Sequence, residues 1–444
     1  MSKEYPRRRR GWSWRDRDRK PVNIACIGVG GMGARDLASV DRENIVALCD
    51  VDEEVLDKQA ESFPHARKYI DFRKMLEEMA GQIQAVTVST PDHTHFYAAL
   101  MAMRRGKHVY VQKPLTHDVW EARMLAEAAR RYQVCTQMGN QGTASSEFRQ
   151  AVEIVRSGAI GPVREVHVWT DRPTWPQGTA AVLGIPRVRT ALGQDRDSGL
   201  PAVPSTLHWD LWLGTAPLRR YYPQVYQPRN WRAWWDFGTG ALGDMGCHTA
   251  NLPFMACQLG APAGVEAQVS ELNSETCPTW SVIRYDFPAR GDLPPVQLTW
   301  YDGGQEKPAW VHARLSDLLH GKRVPVSGAL LIGDQGTLFA PGDYGDHYHL
   351  LPADEFTEYQ PPEPTLPRCR NHYDEWLTAI RNERPDLTLA NFFYAGPLTE
   401  MVLLGSVAIR AGRKILWDGP NLRVTNDARA NDYLKRAYRT GWTL

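Results

Sequence analysis

Three side chains in this sequence could together hold an oxygen and move a proton: Lys113, Asp244 and His248. Asp244 and His248 stand four positions apart in GALGDMGCH, residues 240–248, where glycine recurs at Gly240, Gly243 and Gly246. If 244–248 form a helical turn, the acid and the imidazole share one face. An imidazole with an ordinary pKa of about 6.5 suits proton exchange with an alcohol as hydride leaves the same carbon. Asp244 could then orient that ring or bind a second hydroxyl. The same residues also read as packing, with Asp244 capping the TANLPFMACQLG helix and His248 merely buried. Lys113 sits in VQKPL, after an apolar run, and Pro114 favours extended backbone before it. A lysine there either donates to a substrate oxygen or is solvated at a strand end.

A second signature supplies a partner for such chemistry. Gly28, Gly30 and Gly33 form G-x-G-x-x-G between the apolar VNIACIG and the helical ARDLASV. In that context the glycines permit a tight turn and a close approach of backbone N–H groups to a pyrophosphate. Asp50 ends the next apolar run, near the spacing of about 20 residues expected of a ribose-binding acid. A carboxylate there accepts from both ribose hydroxyls and repels a 2′-phosphate, which favours NAD over NADP. A glycine turn without nucleotide is the bland reading.

These residues need elements to position them. VNIACIG, IVALCD, QAVTVST, HVYVQKP and VCTQMGN read as five strands alternating with helices, a doubly wound parallel sheet. After about residue 144 and one more helix, SSEFRQAVEIVRSG, the texture changes. REVHVWT, GVEAQVSEL, WSVIRYDF, PVQLTWYD and GALLIGDQGTLFA follow with few intervening helices, which predicts a mainly antiparallel sheet. HYDEWLTAIRN and YAGPLTEMVLLGSVAIRAG read as closing helices. The expected organisation is a basic arm at 1–20, a Rossmann domain at 21–144, a substrate and oligomerisation domain at 145–420, and a tail at 421–444.

At 444 residues, two domains are the natural expectation. A net charge of +1 points to neither nucleic acid nor membrane, and no apolar run is read as approaching the roughly 18 residues of a span. The seven cysteines are scattered without a C-x-x-C pair, suggesting free thiols in a reducing compartment, so a cytoplasmic location is expected. Arg7 to Arg10 resemble an export signal, but WRDRDRK follows instead of an apolar segment; a trimmed leader would make the protein periplasmic.

The candidate pocket is aromatic. Seven of the 16 tryptophans fall between Trp169 and Trp235, just before the Asp/His pair. Aromatic faces suit the C–H faces of sugars, although tryptophan in such loops serves packing equally well. Trp175, Gln177 and Trp231 are therefore candidate substrate contacts, with His93 in TPDHTH and Gln141 in GNQG, both after predicted strands. Asp343, Asp346, His347 and His349 in GDYGDHYH cluster in sequence, but their spacing fits no helix-borne ligand set, and no metal is expected.

The glycine motif, the Lys-Pro pair after the fourth predicted strand, and Asp-x-x-x-His in the second domain together resemble the Gfo/Idh/MocA oxidoreductases. The likeness runs from about residue 21 to near the end. It implies a Rossmann domain plus an α/β domain with an open sheet, often an oligomer contact. It implies that Lys113, Asp244 and His248 line the substrate site, with His248 as acid–base. One departure stands out: the family commonly has Glu-Lys-Pro where this chain has Gln112-Lys113-Pro114. NAD is expected to touch Gly28, Gly30, Gly31, Met32, Gly33, Asp50, Thr90, Pro91, His95, Gln112 and Lys113. The leading expectation is an NAD-dependent sugar or glycoside dehydrogenase acting on a ring hydroxyl such as C3. Alternatives are a glycosidase using tightly held NAD, with Tyr221, Tyr222 or Tyr226 as an extra base, and a nucleotide-sensing regulator.

Overall fold

The computed structural model describes residues 20–182, 202–319 and 322–443. The basic arm lies outside the described residues, apart from Lys20.

The first sheet holds β1 (Asn23–Ile27), β2 (Asn44–Cys49), β3 (Arg67–Tyr69), β4 (Ala85–Val88), β5 (His108–Val111) and β6 (Thr136–Met138). Its order is β3-β2-β1-β4-β5-β6 and every pairing is parallel. Helices cover both faces of such a sheet, so its strands carry continuous apolar runs; AVTV of β4 is buried at all four positions. β3 was not foreseen. It is a three-residue edge strand, Arg-Lys-Tyr, with no apolar run to betray it. The order reverses between β1 and β4, and a crevice opens at the carboxyl ends of the strands there.

The second sheet holds nine strands: β7 (Val163–Trp169), β8 (Gly264–Val269), β9 (Ser281–Phe287), β10 (Val296–Tyr301), β11 (Gly328–Gly333), β12 (Thr337–Pro341), β13 (His349–Leu351), β14 (Ile415–Asp418) and β15 (Arg423–Val424). The order is β13-β12-β11-β7-β10-β9-β8-β14-β15, antiparallel except where β7 runs parallel to β10. GALLIGDQGTLFA proves to be the β11–β12 hairpin. In β9, Ser281, Ile283, Tyr285 and Phe287 are buried while Arg284 is exposed, as one covered face requires.

The helix Phe392–Ala411 welds the domains. Gly396 lies against Ala126 of the helix Val119–Tyr132, and Arg123 pairs with Glu400 at 2.8 Å. Contrary to the sequence reading, this helix is long and apolar enough to cross a membrane, but 78% of its apolar window is buried inside the fold, as befits a core helix. On either side of this helix the chain also packs on the first domain. Trp376 of the helix His372–Arg381 is fully buried beside Tyr110, and Trp442 packs on Phe72 and Tyr97.

Candidate active site

The glycine-rich turn leaves β1 at the switch point. Gly28 has φ +75°, and a Cβ there would stand 2.7 Å from the Ser89 carbonyl oxygen. A Cβ on Gly33 would stand 1.9 Å from the carbonyl of Gly28, so the helix Gly31–Ser39 sits hard on the turn. At Gly31, by contrast, a Cβ would meet nothing within 4 Å. No side chain caps that helix, so its first N–H groups point into open space suited to a pyrophosphate. Asp50 Oδ2 accepts from the Val29 N–H at 2.9 Å, placing the carboxylate at the crevice beside the turn. This cradle fits a dinucleotide. Asp50→Ala should weaken NAD at least tenfold while NADP changes much less, read by binding titration. A wild-type protein preferring NADP tenfold, about 1.4 kcal/mol, would refute the assignment.

Facing it, Gly240–Thr249 is a helix, so Asp244 and His248 do share a face. Lys113, just past β5, reaches that helix. Its Nζ donates to the Asp244 carbonyl at 2.5 Å and to Oδ1 at 2.8 Å. Arg232 Nε donates to the same Oδ1 at 2.9 Å. Burial alone would push the Asp244 carboxyl up, but Lys113 and Arg232 hold it well below the usual carboxylate range. His248 is buried, and burial followed by the charge of Lys113 pulls its pKa well below the ordinary value. Its Nδ1 is sealed inside without a hydrogen-bond partner.

Two family models match. Residues 22–140 fit the oxidoreductase family's NAD-binding Rossmann fold, and residues 192–293 fit its C-terminal alpha/beta domain. The chain belongs to the Gfo/Idh/MocA oxidoreductase family. Among curated relatives, a glycosyl hydrolase family 109 protein of Saccharopolyspora erythraea is 32% identical over 157 residues, 32% of this chain and 33% of that one. The myo-inositol 2-dehydrogenase of Thermotoga maritima is 25% identical over 158 residues, 35% of this chain and 47% of that one. The matches thus span a third to a half of those relatives' lengths. An inositol dehydrogenase homolog from Azotobacter vinelandii, complexed with NADH and myo-inositol, shares the fold with a TM-score of 0.58 at 16% identity, covering 90% of this chain and 98% of that one.

In this Gfo/Idh/MocA chain Asp244 does not orient His248. Its hydrogen bonds go to Lys113 and Arg232, because the lysine enters from the other domain and the arginine from the short helix Asn230–Ala233. The glycines serve packing rather than a crowded ligand. A Cβ on Gly243 would collide with Thr239 Oγ1 at 1.8 Å, and one on Gly246 would press on Val402 at 3.0 Å.

Several other predicted contacts lie elsewhere. His93 turns into the protein, its Nε2 3.0 Å from the Trp212 carbonyl and its ring against Phe237. Its buried neighbour Asp92 faces the site instead, accepting from Thr239 Oγ1 at 2.7 Å, and burial pushes its pKa up to about 7. His95 lies between the carbonyls of Pro114 and Thr90, each at 2.8 Å, and so ties two strand ends together rather than facing NAD. Burial lowers its pKa to about 4. Gln112 does not turn toward the ribose. Its amide donates to both oxygens of Asp36, which also accepts from Ser89 and Tyr373, so a buried carboxylate stands next to the position where the family commonly has glutamate.

Gln177 is committed as well, accepting from Trp175 and donating to the Pro278 carbonyl. Trp175 and Trp231 flank the Arg232 guanidinium, which lies 4.3 Å above the Trp231 ring, so both back the cation that holds Asp244. Gln141 donates to the Tyr110 hydroxyl at 3.3 Å. Thr90 accepts from the Thr94 hydroxyl, Pro91 precedes the helix Asp92–Met103, and Met32 is exposed beside Gly31. Tyr226 is buried among Trp209, Trp234 and Phe237, and Tyr221 and Tyr222 pack, partly buried, on the same cluster. Sequence reading missed Arg232, Asp92 and Asp36. The only signals were NWRAWW ahead of the Asp/His pair and an acid inside TPDHTH. No group of three His, Cys, Asp or Glu among the described residues could hold a metal ion.

Proposed function

We propose that this protein oxidises a ring hydroxyl of a carbohydrate or glycoside, such as that at C3, with NAD. One observation carries the reading: Lys113, at the carboxyl end of β5 beside the dinucleotide cradle, is bonded to the helix that bears His248. An ammonium group has three donors. Two are directed at Asp244, and the third is left for the substrate oxygen, whose developing negative charge Lys113 stabilises. His248, held neutral by its burial, takes the hydroxyl proton on Nε2. Asp244 Oδ2 accepts from the hydroxyl of a neighbouring carbon, which fixes the ring. The chemistry NAD supplies when bound is a hydride acceptor.

The relatives named glycosyl hydrolase family 109 favour a second reading, in which the ring is oxidised transiently, loses its aglycone, adds water and is reduced again. Incubating the protein and NAD with a panel of sugars, inositols and aryl glycosides separates the two. Accumulating NADH is expected. Aglycone release with substoichiometric NADH would favour the glycosidase, and neither signal would leave a nucleotide-sensing role. Seven free cysteines support a reducing, cytoplasmic setting, and we assign a homo-oligomer contact to the nine-stranded sheet.

A further inference from the structure

GDYGDHYH, which the sequence singled out and the proposed chemistry leaves unused, forms the connection between β12 and β13. It leaves the edge of the second sheet and lands on the first domain. A Cβ on Gly142, in the short helix after β6, would stand 2.2 Å from the Tyr344 carbonyl. Gly342 and Gly345, at φ +88° and +66°, turn the chain on either side of Tyr344, and a Cβ on Gly345 would stand 3.2 Å from Phe148 and 3.3 Å from Leu252. Asp343 pairs with Arg172 at 3.6 Å. The turn is thus seated on both domains. At its tip the Tyr344 ring meets His248 edge-on, with centroids 4.8 Å apart and planes at 76°. Tyr344 is nevertheless 41% exposed, so part of its ring stays open beside that contact. The charges of Asp244, from the catalytic helix, and Arg35, from the glycine-rich helix, both reach it.

We propose that Tyr344 is the outer wall of the substrate crevice: its ring shields His248 from water and its exposed side packs on the C–H face of the carbohydrate ring. This rests on the function proposed above for its second half, but not for its first. An aromatic ring covering a sugar face contributes about 1 kcal/mol, some fivefold in affinity. Burial pushes the Tyr344 hydroxyl up, so it stays protonated, which suits a contact surface rather than a base.

Two measurements on the full chain with NAD test the two halves. The first is an NMR titration of the His248 imidazole, whose ionisable neighbours are Lys113, Asp244, Arg172, His372 and Tyr344. Removing the ring admits water, so Tyr344→Ala should raise the His248 pKa toward 6.5, while Tyr344→Phe leaves it in place. An unmoved titration in Tyr344→Ala overturns the wall, whatever the substrate is. The second is steady-state kinetics with the best substrate of the panel. Tyr344→Ala should raise KM about fivefold with kcat within threefold, and Tyr344→Phe should match wild type. An unchanged KM in Tyr344→Ala, or equal losses in both variants, overturns the packing role. If no panel substrate turns over, the proposed function and the packing contact fall, and the titration alone decides the shielding.

Discussion

His248→Ala lowers turnover about 10²–10⁴-fold, the ordinary cost of losing a general acid–base. NAD affinity stays within threefold, because the cradle at Gly28–Gly33 and Asp50 is built from other elements. The substitution strands no partner, since Nδ1 has none, so the variant should fold; a cooperative thermal transition checks this. The pH profile gives an independent reading. Oxidation needs His248 neutral, so the rate falls as acid protonates it. Burial and Lys113 hold that protonation well below the ordinary value, so the acid limb of kcat/KM lies below pH 6.5 or so. In the reductive direction the same group must begin protonated, and the rate falls as pH rises through that value. Turnover within threefold of wild type would end the catalytic role and restore the packing reading.

Lys113→Met lowers kcat/KM about 10²–10³-fold, the scale on which a preorganised donor to a developing oxyanion acts. It also costs stability. Asp244 loses two of its bonds, while Arg232 still holds Oδ1, so the loss should fall below the roughly 3–5 kcal/mol of a fully broken buried pair. Lys113→Arg keeps the charge but not the compact point donor, and should not restore the rate. The pairing makes a sharper test. If Lys113 and Asp244 act as one unit, Lys113→Met with Asp244→Asn loses little more than Lys113→Met alone. Additive losses in the double variant would mean that the two residues act separately.

Some of this protein was legible because its causes are local. A glycine that must adopt positive φ, an acid at the end of the second strand, and apolar runs alternating with helices are consequences of neighbours in the chain. They gave the Rossmann domain, the dinucleotide cradle and the helical turn that puts Asp244 and His248 on one face. Local pattern could not reveal β3, since a three-residue strand of Arg-Lys-Tyr becomes a strand only by pairing with β2.

Partners lay beyond that reach. Asp244 and Lys113 are 131 residues apart, and only the docking of the two domains decides that the lysine, with Arg232, takes the carboxylate that four-residue spacing had offered to His248. The same holds for direction. His93 and Asp92 are adjacent at the start of one helix, so their side chains diverge, and the packing of Trp212 and Phe237 decides that the histidine is buried and the acid faces the site. Gln112 keeps the position of the family's glutamate, yet Asp36 decides where its amide points. Tyr344 reaches His248 only because the β12–β13 turn folds back across both domains. The sequence determined which groups this protein carries and which backbone holds them. The tertiary structure decided which group meets which, because hydrogen bonds and burial depend on distances that no local pattern sets.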